Sequence, residues 1–298
     1  MTNPTTSTTP PPALLAWASR VLDARPAVKD VSHPRENSRV WRLDLPRLRF
    51  YLKISPKAVM YERETLALRS AAPALGAGGA PQLRASSAEH LALLLTAVPG
   101  RPLKQLELSP VEEARAHRNG GALLARLHAA GDLSGPRRAE AEQALQAAAE
   151  GAEGHLSAAG DRLTAPEQKL LRQLAEELRA LPPLPLAYIH GDAWDRNLMW
   201  STARQQAGWI DFERSRAATA VQDFVLMACS TWTDRPDLRA ACLQGYGRNL
   251  TLEEQHALRC LAAIDAVSCL VWGPKLDDPH VTARGRRTLD RLMAGVFA

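Results

Sequence analysis

The chain has 298 residues, which suits one large or two small domains, and its 46% hydrophobic content is ordinary for a globular protein with a substantial core. The net charge of +5 comes from the front of the chain, because residues 1–60 hold ten Lys/Arg against four Asp/Glu. No basic stripe with interleaved aromatics is visible, and the best membrane-span candidate, residues 91–100, is too short. We therefore expect neither a nucleic-acid nor a membrane partner.

The N-terminal segment and the cysteines both indicate a cytoplasmic protein. Residues 1–12 are rich in Thr and Pro and lack the charged and apolar regions of a signal peptide, so we predict a short disordered tail. The four cysteines, Cys229, Cys242, Cys260 and Cys269, show no Cys-x-x-Cys or Cys/His ligand pattern. Their spacing favours reduced, buried thiols over disulfides or a metal site.

Residues 40–54 alternate apolar and charged side chains on either side of a turn at Pro46, which predicts a β-hairpin with one buried face. Lys53 lies inside the second strand, where a single lysine usually faces solvent. The following segment, Tyr61 to Leu68, has helical spacing and carries Glu62 and Glu64. The loop before the hairpin contains no glycine, and the chain has no G-x-G-x-x-G or Walker motif, so nothing indicates a Rossmann or P-loop fold.

The rest of the chain is predicted to be one buried strand followed mainly by helices. The apolar run from Leu91 to Val98 predicts a strand that ends at a Pro-Gly break. A cap and proline at Ser109-Pro110 start a helix that runs to about Ala130, interrupted by Gly120-Gly121. Residues 131–163, rich in Ala, Glu and Gly, predict a mobile helical insertion. Two further capping boxes open later helices, at Thr164/Glu167 and at Thr251/Glu254.

The most informative segment joins two acids and an amide at a spacing that suits phosphoryl transfer. Asp192 and Asn197 lie in His190-Gly191-Asp192-Ala193-Trp194-Asp195-Arg196-Asn197, and Asp211 follows in Asp211-Phe212-Glu213. In such chemistry one acid orients the attacking hydroxyl while an amide and a second acid hold magnesium. Residues 187–189 and 208–210 read as strands, so we expect both acids to emerge side by side at one sheet edge. The alternative is a hairpin whose Asp and Asn residues only cap turns.

These motifs resemble those of the aminoglycoside phosphotransferase and choline kinase group, whose loop reads H-G-D-x-x-x-x-N and whose metal segment reads I-D-F/W-E/G. The resemblance implies an α+β, bilobal, protein-kinase-like fold. A small antiparallel-sheet N-terminal lobe over residues 13–98 and a hinge near residues 95–100 are expected. The larger, mostly helical C-terminal lobe would then cover residues 99–298.

The resemblance also assigns expected roles to individual residues. It implies that Asp192 acts on the acceptor hydroxyl, that Asn197 and Asp211 bind Mg²⁺, and that Lys53 contacts the α- and β-phosphates of ATP or GTP. Glu64 is expected to pair with Lys53, with Glu62 as the rival. The remaining expected positions are nucleotide contacts at Ser38 and the backbones of Thr96 and Val98, and structural support from His128, His190 and Asp223.

The acceptor is expected to be a hydroxylated small molecule, and the residues around it are the least defined part of the site. Candidate contacts are Asp195, Glu213 and Asp265, together with Trp194, Trp232 and Trp272, although ordinary core tryptophans explain the last three equally well. No acidic cluster for a polycationic substrate stands out after residue 234. The sequence therefore favours neither an aminoglycoside nor a nucleoside or peptide antibiotic as the acceptor.

Several alternatives remain open from the sequence. A metabolic acceptor such as choline, a homoserine-like alcohol or a fructosamine is less favoured than an antibiotic. A catalytically silent nucleotide-binding homologue is disfavoured because all four residues expected to carry catalysis are present. These are Lys53, Asp192, Asn197 and Asp211. A protein kinase is disfavoured because the loop has His-Gly-Asp and no activation-loop sequence fits between residues 211 and 223. The chain is expected to be a monomer or a homodimer.

Overall fold

Residues 9–32 and 39–297 are described in a computed structural model of the chain, and they form two lobes. The N-terminal lobe holds one helix, a five-stranded antiparallel sheet and a second helix. These elements are α1 (Pro12–Leu22), β1 (Ala27–Asp30), β2 (Arg39–Asp44), β3 (Arg49–Ile54), α2 (Ala58–Ser70), β4 (Leu83–Ser87) and β5 (Ala92–Thr96). The strand order is β1-β2-β3-β5-β4.

The alternating pattern of the hairpin divides this sheet into two faces. Trp41, Leu43 and Leu52 pack on one face against α1, which the sequence analysis did not predict. Lys53 lies on the other face, towards α2, and pairs in register with Val40 of β2. The predicted hairpin and the helix after it are therefore confirmed. Helix α1 begins at the end of the segment predicted as a tail.

The C-terminal lobe is mostly helical and carries two small sheets. Its first part contains β6 (Arg101–Pro102), α3 (Pro110–Ala130), α4 (Gly135–Ala159), α5 (Ala165–Arg179) and β7 (Leu186–Ile189). Next come β8 (Leu198–Ser201), β9 (Gln206–Trp209) and β10 (Arg216–Thr219). The last helices are α6 (Val225–Ala228), α7 (Pro236–Tyr246), α8 (Leu252–Lys275) and α9 (Pro279–Met293). Both predicted capping boxes are present, at the starts of α5 and α8.

One expectation about the sheets is wrong. The strands before the two acids do not share a sheet edge, because β7 pairs with β10 whereas β9 pairs with β8 and, through it, β6. The two segments are joined instead by direct hydrogen bonds: Ile210 N donates to the Asn197 carbonyl over 3.0 Å, and the His190 ring reaches the Ile210 carbonyl. The acids still emerge close together, but a hydrogen-bonded loop and not a sheet brings them there.

Two predictions about helices need correction. Gly120-Gly121 does not interrupt α3, which is continuous from Pro110 to Ala130. A Cβ on Gly121 would lie 2.0 Å from the Cys242 carbonyl of α7. The glycines therefore permit close packing of the two helices. The insertion predicted as mobile is largely α4, which packs on α5, α8 and β10 through a buried face that includes Ala149 and Leu156.

Helix α8 is the one described helix whose length and apolar composition would suit a membrane span. However, 67% of its apolar window is buried inside the fold, as in the core helix of a globular protein. All four cysteines are buried, as predicted, and none is paired with another in the structure. Three of them contribute to the main core between the C-terminal helices: Cys229, Cys242 and Cys260.

Candidate active site

The loop formed by His190–Asn197 is held in place by a buried carboxylate from the C-terminal lobe. Asp223 accepts hydrogen bonds from the backbone N–H groups of His190 (2.7 Å) and Gly191 (2.6 Å). It also lies 2.9 Å from Nε2 of His128, whose Nδ1 is 2.9 Å from the Tyr246 hydroxyl. Burial opposes ionisation of Asp223, but its hydrogen bond to His128 lowers its pKa overall.

The ring of His190 connects the loop to the second acidic segment. Its Nε2 is 3.0 Å from the Ile210 carbonyl and its Nδ1 is 3.2 Å from the Asp192 N–H. A carbonyl can only accept and an N–H can only donate, so these neighbours assign the proton to Nε2. The next residue, Gly191, has φ +77°, and a Cβ there would lie 2.4 Å from the Arg214 carbonyl. Only glycine fits this position.

Asp192 is 4% exposed, and its hydrogen bonds converge on one carboxylate oxygen. Oδ2 accepts from the Asn197 amide at 2.8 Å and from Arg196 at 3.0 Å. No described residue hydrogen-bonds Oδ1, so this oxygen can receive an incoming hydroxyl. The same Asn197 amide donates to the Asp192 carbonyl at 2.9 Å, which leaves the Asn197 side-chain oxygen available as a ligand.

The Lys53 ammonium contacts three carboxylates, one from its own lobe and two from across the cleft. Its Nζ lies 2.8 Å from Glu64, 2.5 Å from Asp211 and 3.0 Å from Glu213. Glu64, and not its rival Glu62, thus contacts the lysine. Burial disfavours the ammonium, but the three acids outweigh it and raise the pKa of Lys53 well above its ordinary value. Burial and the neighbouring acids together raise the pKa of Glu64 to about 7 despite Lys53.

The donor set beside Lys53 fits a magnesium ion. Carboxylate oxygens of Glu64, Asp211 and Glu213 lie within 4.8 Å of one another, and the four side chains carry a surplus of negative charge. Asp211 has φ +70°, a left-handed conformation that is uncommon for a residue other than glycine and is concentrated at functional sites. Hard oxygen donors of this kind are what Mg²⁺ prefers. The residues predicted to hold it, Asn197 and Asp211, come from the joined segments described above.

A cavity of about 490 Å³ opens at the hinge end of the cleft, a size in the range of small-molecule sites. Phe50, Tyr51, Thr96 and Val98 line it, whereas the acids near Lys53 do not. The Thr96 N–H already donates to the Gln82 carbonyl at 3.0 Å. This leaves the Thr96 carbonyl and the Val98 backbone as candidate nucleotide contacts. Ser38, the other predicted contact, lies outside the described residues.

The side of the loop away from Lys53 contains buried polar groups with unused hydrogen-bonding capacity. Asp195 Oδ2 accepts from the Thr231 hydroxyl at 2.5 Å, and its Oδ1 lies 3.8 Å from Nε2 of His117. No described residue hydrogen-bonds that Oδ1 or either ring nitrogen of His117. Burial lowers the pKa of His117, against the charge of Asp195. Unpaired buried polar atoms are costly, so a bound water or a polar ligand group would complete their hydrogen bonds.

Each tryptophan predicted as an acceptor contact already has protein neighbours against its ring. The Trp194 ring has Arg196 4.5 Å and Arg284 5.3 Å from its centroid, so cations already flank it. Trp232 is 5% exposed and stacks on Phe224, as a core tryptophan does. Trp272 is 49% exposed and lies under the Lys275 ammonium at 5.0 Å. The three tryptophans thus lie in different surroundings.

The other predicted acceptor contacts also have protein partners. Asp265 lies 3.2 Å from Arg284, which offsets the burial that raises the pKa of this acid. Glu213 contacts Lys53, as described above. His117, Thr231 and Arg284 were not singled out from the sequence. His117 comes from helix α3, Thr231 from the turn before α7, and Arg284 from helix α9. No motif spacing in the sequence connects these three segments.

Comparisons with known proteins agree with this geometry. Residues 27–261 match the model of a family described as the phosphotransferase enzyme family. Viomycin phosphotransferase from Streptomyces vinaceus is 30% identical over 177 residues. That alignment covers 56% of this chain and 59% of the relative, so the match spans less than two thirds of the relative's length.

Solved structures show the same fold at low sequence identity. The gentamicin complex of APH(2″)-IIa superposes with a TM-score of 0.69 at 15% identity, over 94% of this chain and 96% of that one. A choline/ethanolamine kinase family protein from Mesorhizobium loti gives 0.63 at 18% identity, over 90% and 87%. The predicted bilobal, protein-kinase-like fold is confirmed.

Proposed function

The chain belongs to the phosphotransferase enzyme family, and from that premise we propose that it transfers the γ-phosphate of ATP, or of GTP, to a hydroxyl group of a small-molecule antibiotic. The observation that carries the proposal is the arrangement around Asp192. Its carboxylate is oriented by Asn197 and Arg196 through Oδ2, while no described residue hydrogen-bonds Oδ1. Such an oxygen is suited to accept the proton of an attacking hydroxyl.

In the proposed mechanism, most of the catalytic effect comes from positioning and charge. Asp192 Oδ1 orients the acceptor hydroxyl and takes its proton as the phosphoryl group transfers. Lys53 stays paired with Glu64, at 2.8 Å, and exchanges its contacts with Asp211 and Glu213 for the α- and β-phosphates. Asn197 and Asp211 would hold Mg²⁺, which supplies charge neutralisation between the phosphates. Asp223 keeps the loop backbone in place throughout.

Three observations support an antibiotic acceptor over choline. The relative with 30% identity is a viomycin phosphotransferase. A quaternary ammonium needs open aromatic faces, but Arg196 and Arg284 already flank the Trp194 ring and Trp232 is stacked in the core. The Oδ1 of Asp195, which accepts no hydrogen bond from a described residue, suits instead an amino or guanidinium group near the acceptor hydroxyl. We propose a cytoplasmic location, which the use of a nucleotide supports.

The test is magnesium-dependent ADP release from ATP by the purified chain, with viomycin, several aminoglycosides, choline and homoserine as acceptors. Turnover with an antibiotic but not with choline is expected. Asp192→Ala should abolish turnover while leaving ATP affinity within about twofold, and Asp161→Asn, on an exposed turn, is the matched control. ATP binding without turnover on any acceptor would favour a silent homologue. A failure to bind nucleotide at any magnesium concentration would overturn the proposal.

A further inference from the structure

A second group of metal-ligand side chains lies outside the cleft, between helices α5 and α8. Glu177 belongs to the last turn of α5, and His256 and Cys260 belong to α8. The two α8 residues are four positions apart, so they lie on the same face of the helix. Nothing in the proposed phosphoryl transfer uses these three residues.

The three ligand atoms already converge. His256 Nε2 lies 3.1 Å from Glu177 Oε2, and one ligand atom from each residue, including Cys260 Sγ, falls within 4.8 Å of the other two. A tetrahedral ion with bonds of about 2.0–2.3 Å needs ligand atoms roughly 3–4 Å apart. Small side-chain movements would therefore complete the geometry.

The surroundings of the group leave ligand atoms open. Gln173 donates a hydrogen bond to Glu177 Oε1 at 2.8 Å, which orients the carboxylate. The buried Oε2 accepts no hydrogen bond from any described residue. The side chains of Glu177 and His256 are 30% and 37% exposed, so an ion can enter from solvent. The Cys260 thiol forms the buried floor.

We propose that Glu177, His256 and Cys260 form a divalent zinc-class metal site that ties α5 to α8. A mixed set of carboxylate, imidazole and sulfur ligands suits Zn²⁺, whereas Mg²⁺ prefers oxygen alone. Three protein ligands leave a fourth position for water. On binding, the Cys260 S–H bond breaks, its proton passes to solvent, and the thiolate bonds to the metal. Burial and Glu177 raise the pKa of the metal-free thiol to about 12, so the metal must displace this proton.

Neither a cysteine pair nor a short Cys/His motif marks this site in the sequence. His256-x-x-x-Cys260 is only two thirds of the ligand set, and the third ligand lies on another helix. The two helices are brought together by core packing through residues such as Leu174 and Leu258. The site is separate from the nucleotide cleft, so its existence does not depend on the proposed function.

The experiment is Co²⁺ titration of the chelator-treated chain in excess Mg²⁺, which occupies the oxygen-only sites. One equivalent of Co²⁺ should produce an intense near-ultraviolet thiolate-to-cobalt band, and Zn²⁺ should abolish it. Cys260→Ser should lose the band, whereas Cys242→Ser, which removes another buried cysteine, should keep it. A wild-type chain without the band, or a band that survives Cys260→Ser, would overturn the proposal.

A second measurement covers the case in which Cys260→Ser fails to fold. Glu177→Gln changes a half-buried carboxylate to its amide and should leave the thermal midpoint in chelator unchanged. Zn²⁺ should raise the midpoint of the wild-type chain but not that of Glu177→Gln, and the affinity for Co²⁺ should fall at least tenfold. Equal Zn²⁺ stabilisation of both chains would contradict the proposed ligand set.

Discussion

Lys53 Nζ lies 2.5 Å from Asp211 Oδ1 although the two residues are 158 positions apart in the chain. This contact crosses the cleft, because Lys53 belongs to the N-terminal sheet and Asp211 to the C-terminal lobe. Glu64 and Glu213 complete the set around the ammonium. The lysine is the cation that contacts all three carboxylates.

We expect Lys53→Met to lose both activity and stability. Under the proposed function, kcat/KM should fall by roughly 10²–10³-fold, the usual cost of one preorganised charge at a transition state. Unfolding free energy should fall by up to about 3–5 kcal/mol, with the loss reduced because Asp211 and Glu213 remain partly exposed. Steady-state kinetics and urea denaturation measure the two effects.

The same variant should respond more strongly to magnesium. Without the lysine, the acids need another cation, so Mg²⁺ should raise the thermal midpoint of Lys53→Met more than that of the wild-type chain. Lys29→Met, at an exposed position of β1, should behave as the wild type in both assays. An unchanged rate in Lys53→Met would remove this lysine from the nucleotide site.

Replacing Asp223 should destabilise the fold because two buried backbone donors depend on it. Asp223→Ala leaves the N–H groups of His190 and Gly191 without their acceptor, at about 1–3 kcal/mol each. Asp223→Asn keeps one acceptor oxygen and should cost less. Chemical denaturation at neutral pH should rank wild type above Asn and Asn above Ala. The reverse order of Asn and Ala would show that the carboxylate does not brace the loop.

Acid sensitivity gives an independent test of the same carboxylate. Its folded-state pKa lies below the ordinary value of 3.8, so its stabilising contribution is complete above that value and is lost as pH falls through the folded pKa. Between neutral pH and pH values below 3.8, the wild-type chain should therefore lose more unfolding free energy than Asp223→Asn does. Parallel stability–pH curves for the two chains would contradict this linkage.

Two glycine-to-alanine substitutions should change the stability of the fold in opposite directions. A Cβ on Gly121 would lie 2.0 Å from the Cys242 carbonyl, where neither helix backbone can move freely, so Gly121→Ala should cost about 3 kcal/mol or more. Gly151 of α4 has no heavy atom within 4 Å of its added Cβ. Gly151→Ala should stabilise by about 0.5–1 kcal/mol through helix propensity. Thermal unfolding of both variants measures the difference, and equal midpoints would refute the close α3–α7 contact.

The sequence predicts best those features whose information is local. The hairpin alternation places Lys53, the loop spacing places Asp192 and Asn197, and capping boxes mark the starts of α5 and α8. Each pattern involves a few neighbouring residues whose backbone geometry follows from their own chemistry. The roles assigned to these residues in catalysis remain predictions for the kinetic tests above.

Features that depend on packing between distant segments were not predicted. The pairing of β7 with β10 instead of with the strand before Asp211 is a choice between partners of similar apolar character. The alanine-rich helix α4 has little amphipathic pattern, so its close packing through small residues left no periodic signal. His117 and Thr231 meet Asp195 only because α3 and the turn before α7 fold onto the loop.

The last prediction concerns this acceptor side and rests on the proposed function. Asp195→Asn keeps the shape of the side chain but removes the charge whose Oδ1 has no described hydrogen-bond partner. If that oxygen binds an amino or guanidinium group, KM for the antibiotic should rise roughly 10–100-fold, the equivalent of one charge-assisted hydrogen bond, while KM for ATP stays constant. Thr231→Val removes only the donor to Oδ2, so it should change the antibiotic KM less. Equal losses in kcat with unchanged KM would indicate instead that Asp195 positions the loop through Thr231 and His117.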